Sequence, residues 1–371
     1  MPGRASMQSC GAWALAARAG AFLFSALMKQ PTKRHISARP YVRAWLWLIA
    51  SLIFVMVIVG GATRLTHSGL SITEWQPLLG AIPPLGAADW QAAFEKYRQI
   101  PEYSLINRGM TLDDFKFIYW WEWTHRLLGR LIGAAFLLPF LFFWLTRRIE
   151  ARLLPRLGAI FVLGGLQGAL GWYMVKSGLV DRVDVSQYRL SAHLTFATII
   201  FGAVVWTALG IGRERRVAHL DHGALGLMGL ILLQIALGGL VAGLDAGQGY
   251  NSWPLMDGSF IPSGLLTMEP AWRNLFENAL TVQFDHRMLA YAIAITAAIL
   301  AWRTRNSSAV LLFSAVIVQI ALGIWTLLEH VPLPQALLHQ AGAMIVFALA
   351  LWNLHERMVE RFDAKAIRFA L

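Results

Sequence analysis

The chain has 371 residues, of which 57% are hydrophobic and only 14% charged, with 16 Trp and 20 Phe, a composition that excludes an ordinary soluble domain and points to a polytopic membrane protein. The net charge of +11 does not signal nucleic acid, because the basic residues fall in alternate connections between apolar segments rather than on one face. The single cysteine, Cys10, excludes an intramolecular disulfide and a cysteine-based metal site.

Residues 1–43 are Arg-rich, and no acidic residue precedes Glu74. Their apolar run, 19–28, is too short to span a bilayer. A weak targeting sequence, an over-extended start upstream of Met28 and a cytoplasmic tail all have this pattern; the tail is the expectation adopted. A span needs about 20 mostly apolar residues. Eight segments qualify, at 44–62, 125–146, 157–176, 190–211, 223–244, 286–303, 308–328 and 335–354. The alternating ten-residue pattern of a membrane β-barrel is absent.

Between the first two spans lies a long outer loop, roughly 63–123, and loops of that size generally carry function or structure of their own. Within it "DWQAAFEKYRQI" (89–100) reads as a short amphipathic surface helix, and "TLDDF" (111–115) as a capping box opening a helix toward the second span. Together they are expected to form a lid over an outer-face pocket.

The basic residues cluster on one side. Lys33, Arg34, Arg39 and Arg43 precede the first span; Arg147, Arg148, Arg152 and Arg156 follow the second. Arg213, Arg215 and Arg216 follow the fourth, Arg303 and Arg305 the sixth, and Arg357, Arg361, Lys365 and Arg368 the eighth. The positive-inside rule puts both termini in the cytoplasm or mitochondrial matrix, in contact with anionic membrane lipid. The connections from odd to even spans then lie outside.

The chain reads as a duplication. "GGATRLTHSGLSITEWQPLLGAIPP" (60–84) aligns without gaps on "GGLVAGLDAGQGYNSWPLMDGSFIP" (238–262). "THRLLGRL" at the second span answers "DHRMLAYA" at the sixth, and "LQGALGW" in the third answers "VQIALGIW" in the seventh. The expected fold class is therefore an all-α integral membrane protein of eight transmembrane helices, built as two tandem four-helix bundles. The expected organisation is a tail (1–43), an N-terminal half (44–211), a cytoplasmic linker (212–222), a C-terminal half (223–355) and a second tail (356–371).

Of ten histidines, four stand at the start of even-numbered spans: His125, His193, His286 and His339. Each half thus offers two imidazoles at one depth from two helices. Neutral imidazole is the commonest metal ligand, and two facing histidines in a bundle suit a six-coordinate haem. A lone histidine at a helix end is ordinarily a capping or snorkelling group; four at matching positions of two repeats are not. Gly129, Gly133, Gly164, Gly165, Gly168 and Gly171 would admit a flat macrocycle or a neighbouring helix. Arg126 and Arg287 follow two of the histidines and suit haem propionates or interfacial anchoring. In "WWEWTHRLLGR" (120–130) Glu122 shares a helix face with His125, whereas its counterpart in the second half is Gln283. One half thus has a carboxylate for proton transfer and the other an amide.

"RLTHSGLSITEWQPLLGAIPP", "NRGMTLDDFKFIYWWEWTHRLLGRLIG", "VAGLDAGQGYNSWPLMDGSFIP" and "VQFDHRMLAY" closely resemble haem A synthase, in the form found in mitochondria and alphaproteobacteria, and the likeness covers residues 41–355. The resemblance implies an enzyme that oxidises the C8 methyl of its substrate, haem O, to a formyl group by successive hydroxylations, supplying haem A for cytochrome c oxidase. It implies a permanent haem b on His286 and His339, substrate haem on His125 and His193, and an essential glutamate at Glu122. The cysteine pairs of some bacterial relatives are missing here. Haem O synthase and oxidase assembly factors are further expected partners, with a homo-oligomer permitted and nucleic acid excluded. A bacterial inner membrane is favoured over the mitochondrial one, with the haem sites toward the periplasmic or intermembrane side. The competing readings are a bis-histidine b-type cytochrome that only transfers electrons and a haem carrier.

Overall fold

The computed structural model describes residues 32–366 except 77–78, 180–181 and 213–219, with side chains as far as Met358. The expectations for Cys10, for the run 19–28, for Arg213, Arg215 and Arg216, and for the side chains of Arg361, Lys365 and Arg368 lie outside the described residues. Eight helices are long and apolar enough to cross a membrane: α1 (Lys33–Leu65), α2 (Leu112–Leu145), α3 (Leu154–Lys176), α4 (Gln187–Gly210), α5 (His222–Gly243), α6 (Ala279–Thr304), α7 (Ser307–Leu328) and α8 (Leu333–Ala366). The sole β pairing among the described residues is an isolated bridge between Met256 and Ser259. The chain is an all-helical integral membrane protein, and in a bilayer helices satisfy their own backbone.

Polar caps mark the helix starts. Thr32 with His35, and Thr111 with Asp114, close capping boxes at α1 and α2. Asp221, Asn278 and Asn306 accept from backbone N–H groups at the heads of α5, α6 and α7. Each cap answers donors that hydrocarbon cannot satisfy.

Helices α1 to α4 pack in a ring, each against the next and α4 back against α1, and α5 to α8 pack in the same way. The two rings meet through α1 and α4 on one side and α5 and α8 on the other. Because lipid is as apolar as leucine, such contacts depend on close packing and interhelical hydrogen bonds. Trp45 Nε1, for example, donates to the Ala135 carbonyl at 2.8 Å, tying α1 to α2.

A continuous apolar core fills the end of the bundle that carries the basic residues. It includes Leu46 and Ile49 of α1, Leu157 of α3, Val204 and Val205 of α4, Leu227 of α5, Leu312 of α7 and Met344 of α8, all essentially inaccessible. At this end Arg39 and Arg152 pair with Glu150 at 2.9 and 2.6 Å, and Arg357 pairs with Asp221.

The opposite end differs in its first half. There the 63–111 segment folds over the ring as a cap, with short helices at Ala87–Tyr97 and Pro101–Leu105. Leu70, Phe94, Tyr97, Ile100, Phe115, Ile118, Tyr119 and Val185 form its own apolar cluster. The amphipathic helix expected at 89–100 is present as Ala87–Tyr97, the box expected at 111–115 opens α2 itself, and Pro101–Leu105 is a helix the sequence reading did not include. The "WWEWTHRLLGR" segment, however, lies well inside a helix rather than at its mouth. Hydropathy marks where a helix enters hydrocarbon; the Thr111–Asp114 box starts α2 earlier, and the cap shelters Phe115, Ile118 and Tyr119 on the projecting turns. His193, His286 and His339 stand about two turns from their helix starts and His125 about four.

Candidate functional site

The four histidines form two pairs, one per ring. His286 and His339 face each other with ring centroids 6.4 Å apart and planes at 72°. In the first ring His125 packs on Gly60 of α1 and His193 on Gly171 of α3. Every one of the four is backed by a glycine of the preceding odd-numbered helix. A Cβ added to Gly60, Gly171, Gly238 or Gly323 would come within 2.9, 3.0, 3.3 or 2.8 Å of Cε1 of His125, His193, His286 or His339 respectively. A side chain at any of the four glycines would displace an imidazole. The glycine stripe expected to admit a macrocycle divides: Gly171 backs His193 and Gly129 lies near Met56, while Gly133, Gly164, Gly165 and Gly168 face open space.

Glutamines orient the rings. Gln167 Nε2 donates to the His193 carbonyl at 3.0 Å and lies 3.1 Å from its Nδ1; Gln319 Nε2 does the same for His339, at 2.7 and 3.1 Å. Gln234 Nε2 donates to the His286 carbonyl at 2.9 Å. Sequence reasoning missed these three, although Gln167 and Gln319 occupy the same place in the two repeated motifs.

This arrangement fits a bis-histidine haem in each ring. The Nδ1 atoms of His125 and His286 are buried without a hydrogen-bond partner, although such a group ordinarily finds one. All four histidines are half-buried. Two imidazoles sharing an ion at bond lengths of about 2 Å have centroids a little over 6 Å apart, which matches the His286–His339 pair. Among the described residues there is no cluster of three or more His, Cys, Asp or Glu side chains suited to a metal.

One turn before His125, Glu122 is buried at 3% exposure. Its Oε2 accepts from Ser71 Oγ at 2.8 Å and from the Ile72 backbone at 2.7 Å, and its Oε1 accepts from Arg126 at 2.6 Å. Gln283, also 3% exposed, receives Arg287 on Oε1 at 2.8 Å, but its Nε2 donates to the carbonyls of Ala246 and Gly249 at 2.7 and 2.8 Å. The loops are thus electrical opposites: the first presents donors to a carboxylate, the second acceptors to an amide. The Glu/Gln difference is built into the backbone around it.

Arg126 donates to the carbonyls of Ile72 and Glu74, and Arg287 to those of Tyr250 and Ser252, all between 2.8 and 2.9 Å. Both guanidiniums therefore clamp the outer loops onto their helices. Nε of Arg287 is buried and without a partner.

A family model described as cytochrome oxidase assembly protein (COX15-CtaA) matches residues 43–351. The chain belongs to the COX15-CtaA family. It is 55% identical over 327 residues to the Heme A synthase of Parvibaculum lavamentivorans, covering 86% of this chain and 95% of that protein. It is 54% identical over 334 residues to the Heme A synthase of Mesorhizobium japonicum, covering 86% and 92%. The Heme A synthase of Nitrosospira multiformis is 47% identical over 350 residues, covering 90% and 98%. The COX15-CtaA match thus takes in both rings and the cap.

The cap carries an ionisable group of its own. Glu102 is 3% exposed and accepts from the Tyr97 hydroxyl at 3.2 Å, which in turn accepts from Asn107 at 2.7 Å. Burial, and then the nearby charges of Asp184 and Glu122, raise its carboxyl to about 8 against the lowering effects of the Tyr97 hydrogen bond and Arg64. The folded value exceeds the ordinary 4.5, so the stability contributed by the protonated form is complete below pH 4.5 and is lost as pH rises through 8. Limited proteolysis of residues 87–111 is expected to accelerate across this window, by at most about tenfold per pH unit for one proton. The acceleration should be absent in Glu102→Gln. Equal pH dependence in the two proteins would show that another group opens the cap.

Proposed function

We propose that this chain converts haem O to haem A in the membrane, oxidising the C8 methyl group to a formyl group and so supplying haem A for cytochrome oxidase. The observation that carries this is its 55% identity to a Heme A synthase across 95% of that protein's length. The chain is accordingly an oxidoreductase.

In our reading the first ring takes the substrate haem between His125 and His193, and the second holds haem b on His286 and His339. Haem b, when bound, supplies one-electron redox chemistry. Oxidising a methyl group removes protons as well as electrons from the ring periphery. Glu122 is the one carboxylate placed a turn from a substrate-side histidine, and we assign it the role of accepting those protons or stabilising developing positive charge. Its three donors fix the carboxylate, and the apolar cap keeps bulk water from the same spot. Gln283 in the other ring cannot take up a proton in this way. We also assign Arg126 and Arg287 to the haem propionates, the free Nε of Arg287 being the available donor on that side.

The matched contacts of Gly60 and Gly238, Gln167 and Gln319, and Arg126 and Arg287 support descent of the two rings from one duplicated unit. The one-sided basic residues support cytoplasmic termini and outward-facing haem sites, and the bacterial relatives support a bacterial inner membrane. Haem O synthase, oxidase assembly factors and a second copy of the chain are the partners we propose.

Expression with a source of haem O, followed by extraction and mass measurement, tests the function. A formyl-bearing haem is the expected product. Recovery of unmodified haem alone would leave an electron-transfer cytochrome or a haem carrier.

A further inference from the structure

Each ring contains a Gly-Gly pair in its first helix, and the two glycines of a pair face different partners. Gly60 and Gly238 back the histidines of their own rings. Gly61 and Gly239 face the other ring: a Cβ on Gly61 would lie 1.9 Å from Oε1 of Gln340, and one on Gly239 would lie 2.7 Å from Cα of Ser191. The bare backbones let polar side chains cross between the rings. Gln340 Nε2 donates to the Val57 carbonyl at 2.9 Å, joining α8 to α1, and Ser191 Oγ donates to the Ala236 carbonyl at 2.6 Å, joining α4 to α5.

These crossings lie at the depth of the histidines. Gln340 directly follows His339, and the carbonyl it holds is one turn before Gly60, which backs His125. Ser191 stands two residues before His193, and Ala236 two before Gly238, which backs His286. Each histidine pair is therefore joined to the other by two short bridges made of adjacent backbone, one hydrogen bond and a glycine contact.

We propose that Gln340 and Ser191 are positioning residues that hold the two haem-binding pairs at a fixed close separation and so set the rate of electron exchange between them. The inference rests on the assignment of a haem to each ring. His125 and His193 would hold one haem and His286 and His339 the other, and such a pair would supply one-electron exchange that needs no further reactant. A side chain that merely kept the helices together would affect yield and haem content. One that couples the sites affects the exchange rate while haem content and spectrum stay the same.

The test uses the full-length protein loaded with both haems. One haem is reduced by a light pulse and the redistribution of the electron is followed optically, together with haem content and midpoint potentials. Gln340→Leu keeps the volume of the side chain but removes its donor, and is expected to slow redistribution by about tenfold at unchanged haem content. Gly61→Ala should do the same by pushing the Gln340 amide off Val57. Ser191→Ala, a smaller change at the other bridge, gives a readable result if Gln340→Leu fails to accumulate. Wild-type exchange rates in Gln340→Leu and Ser191→Ala, each carrying both haems, would overturn the proposal. So would slowing that is fully accounted for by lost haem. If the wild type itself binds a haem at only one histidine pair, the underlying site assignment fails, a result separable from either of these.

Discussion

Glu122→Gln is expected to lower haem A formation by about 100-fold or more, the scale on which positioned acid–base groups act, while haem remains bound at both histidine pairs. The substitution is nearly isosteric, yet its surroundings cannot accept it neutrally. Glu122 meets donors on every side, from Ser71, Ile72 and Arg126. A glutamine there must turn its NH2 toward either the Ile72 N–H and Ser71 or the Arg126 guanidinium, and one buried group loses its partner, at about 1–3 kcal/mol. Ser71→Ala separates this structural cost from the chemistry. It removes one of the same hydrogen bonds but leaves the carboxylate, and should reduce the rate by no more than about tenfold. A membrane assay in which Glu122→Gln makes haem A at the wild-type rate would remove the proposed proton role.

The second large effect separates the two rings. His125→Ala and His193→Ala are each expected to abolish haem A formation while the reduced-minus-oxidised spectrum of haem b persists. His286→Ala and His339→Ala should lose that spectrum, with the bound fraction falling below about a tenth, because losing a direct ligand costs more than the 10- to 100-fold of losing a supporting contact. Loss of haem b from the first pair of variants would reverse the assignment of the rings. Since each imidazole packs on a glycine, the alanine variants also leave a void in the bundle. Tryptophan fluorescence and yield should be recorded beside the haem spectra.

Much of this architecture was legible in the sequence. The eight spans follow from hydropathy alone, because an 18-residue apolar window has few other uses, and the structure has helices at each. The four histidines emerged through the repeat, which turned residues that are individually unremarkable into two pairs. Glu122 emerged by the opposite route, as the position where the repeat fails. The cap was partly legible in its helix-start signals at Thr111 and in the amphipathic 89–100 segment. What escaped was the identity of contacts between distant positions. Arg126 and Arg287 suggested haem propionates or lipid, but their donors hold loop carbonyls some fifty and thirty-five positions upstream. In sequence Gln167, Gln234 and Gln319 are single polar residues in apolar helices, and no periodicity says that each ends on the backbone of a histidine. Gln340 and Val57 lie 283 positions apart, and only the docking of the two rings brings them together.

The Gly-Gly pairs limit how freely such a molecule can change. Glu122 and Gln283 bond only to side chains and backbone of their own ring and its loop, so a change at either leaves the contacts of the other untouched. The seam is different. A methyl group at Gly60 would disturb the imidazole of its own ring, and one at the neighbouring Gly61 would push against the opposite ring. Neither position can enlarge without a compensating change on another helix, and for Gly61 that helix belongs to the other half. At this seam a residue of one ring is therefore fixed by the side chains of the other.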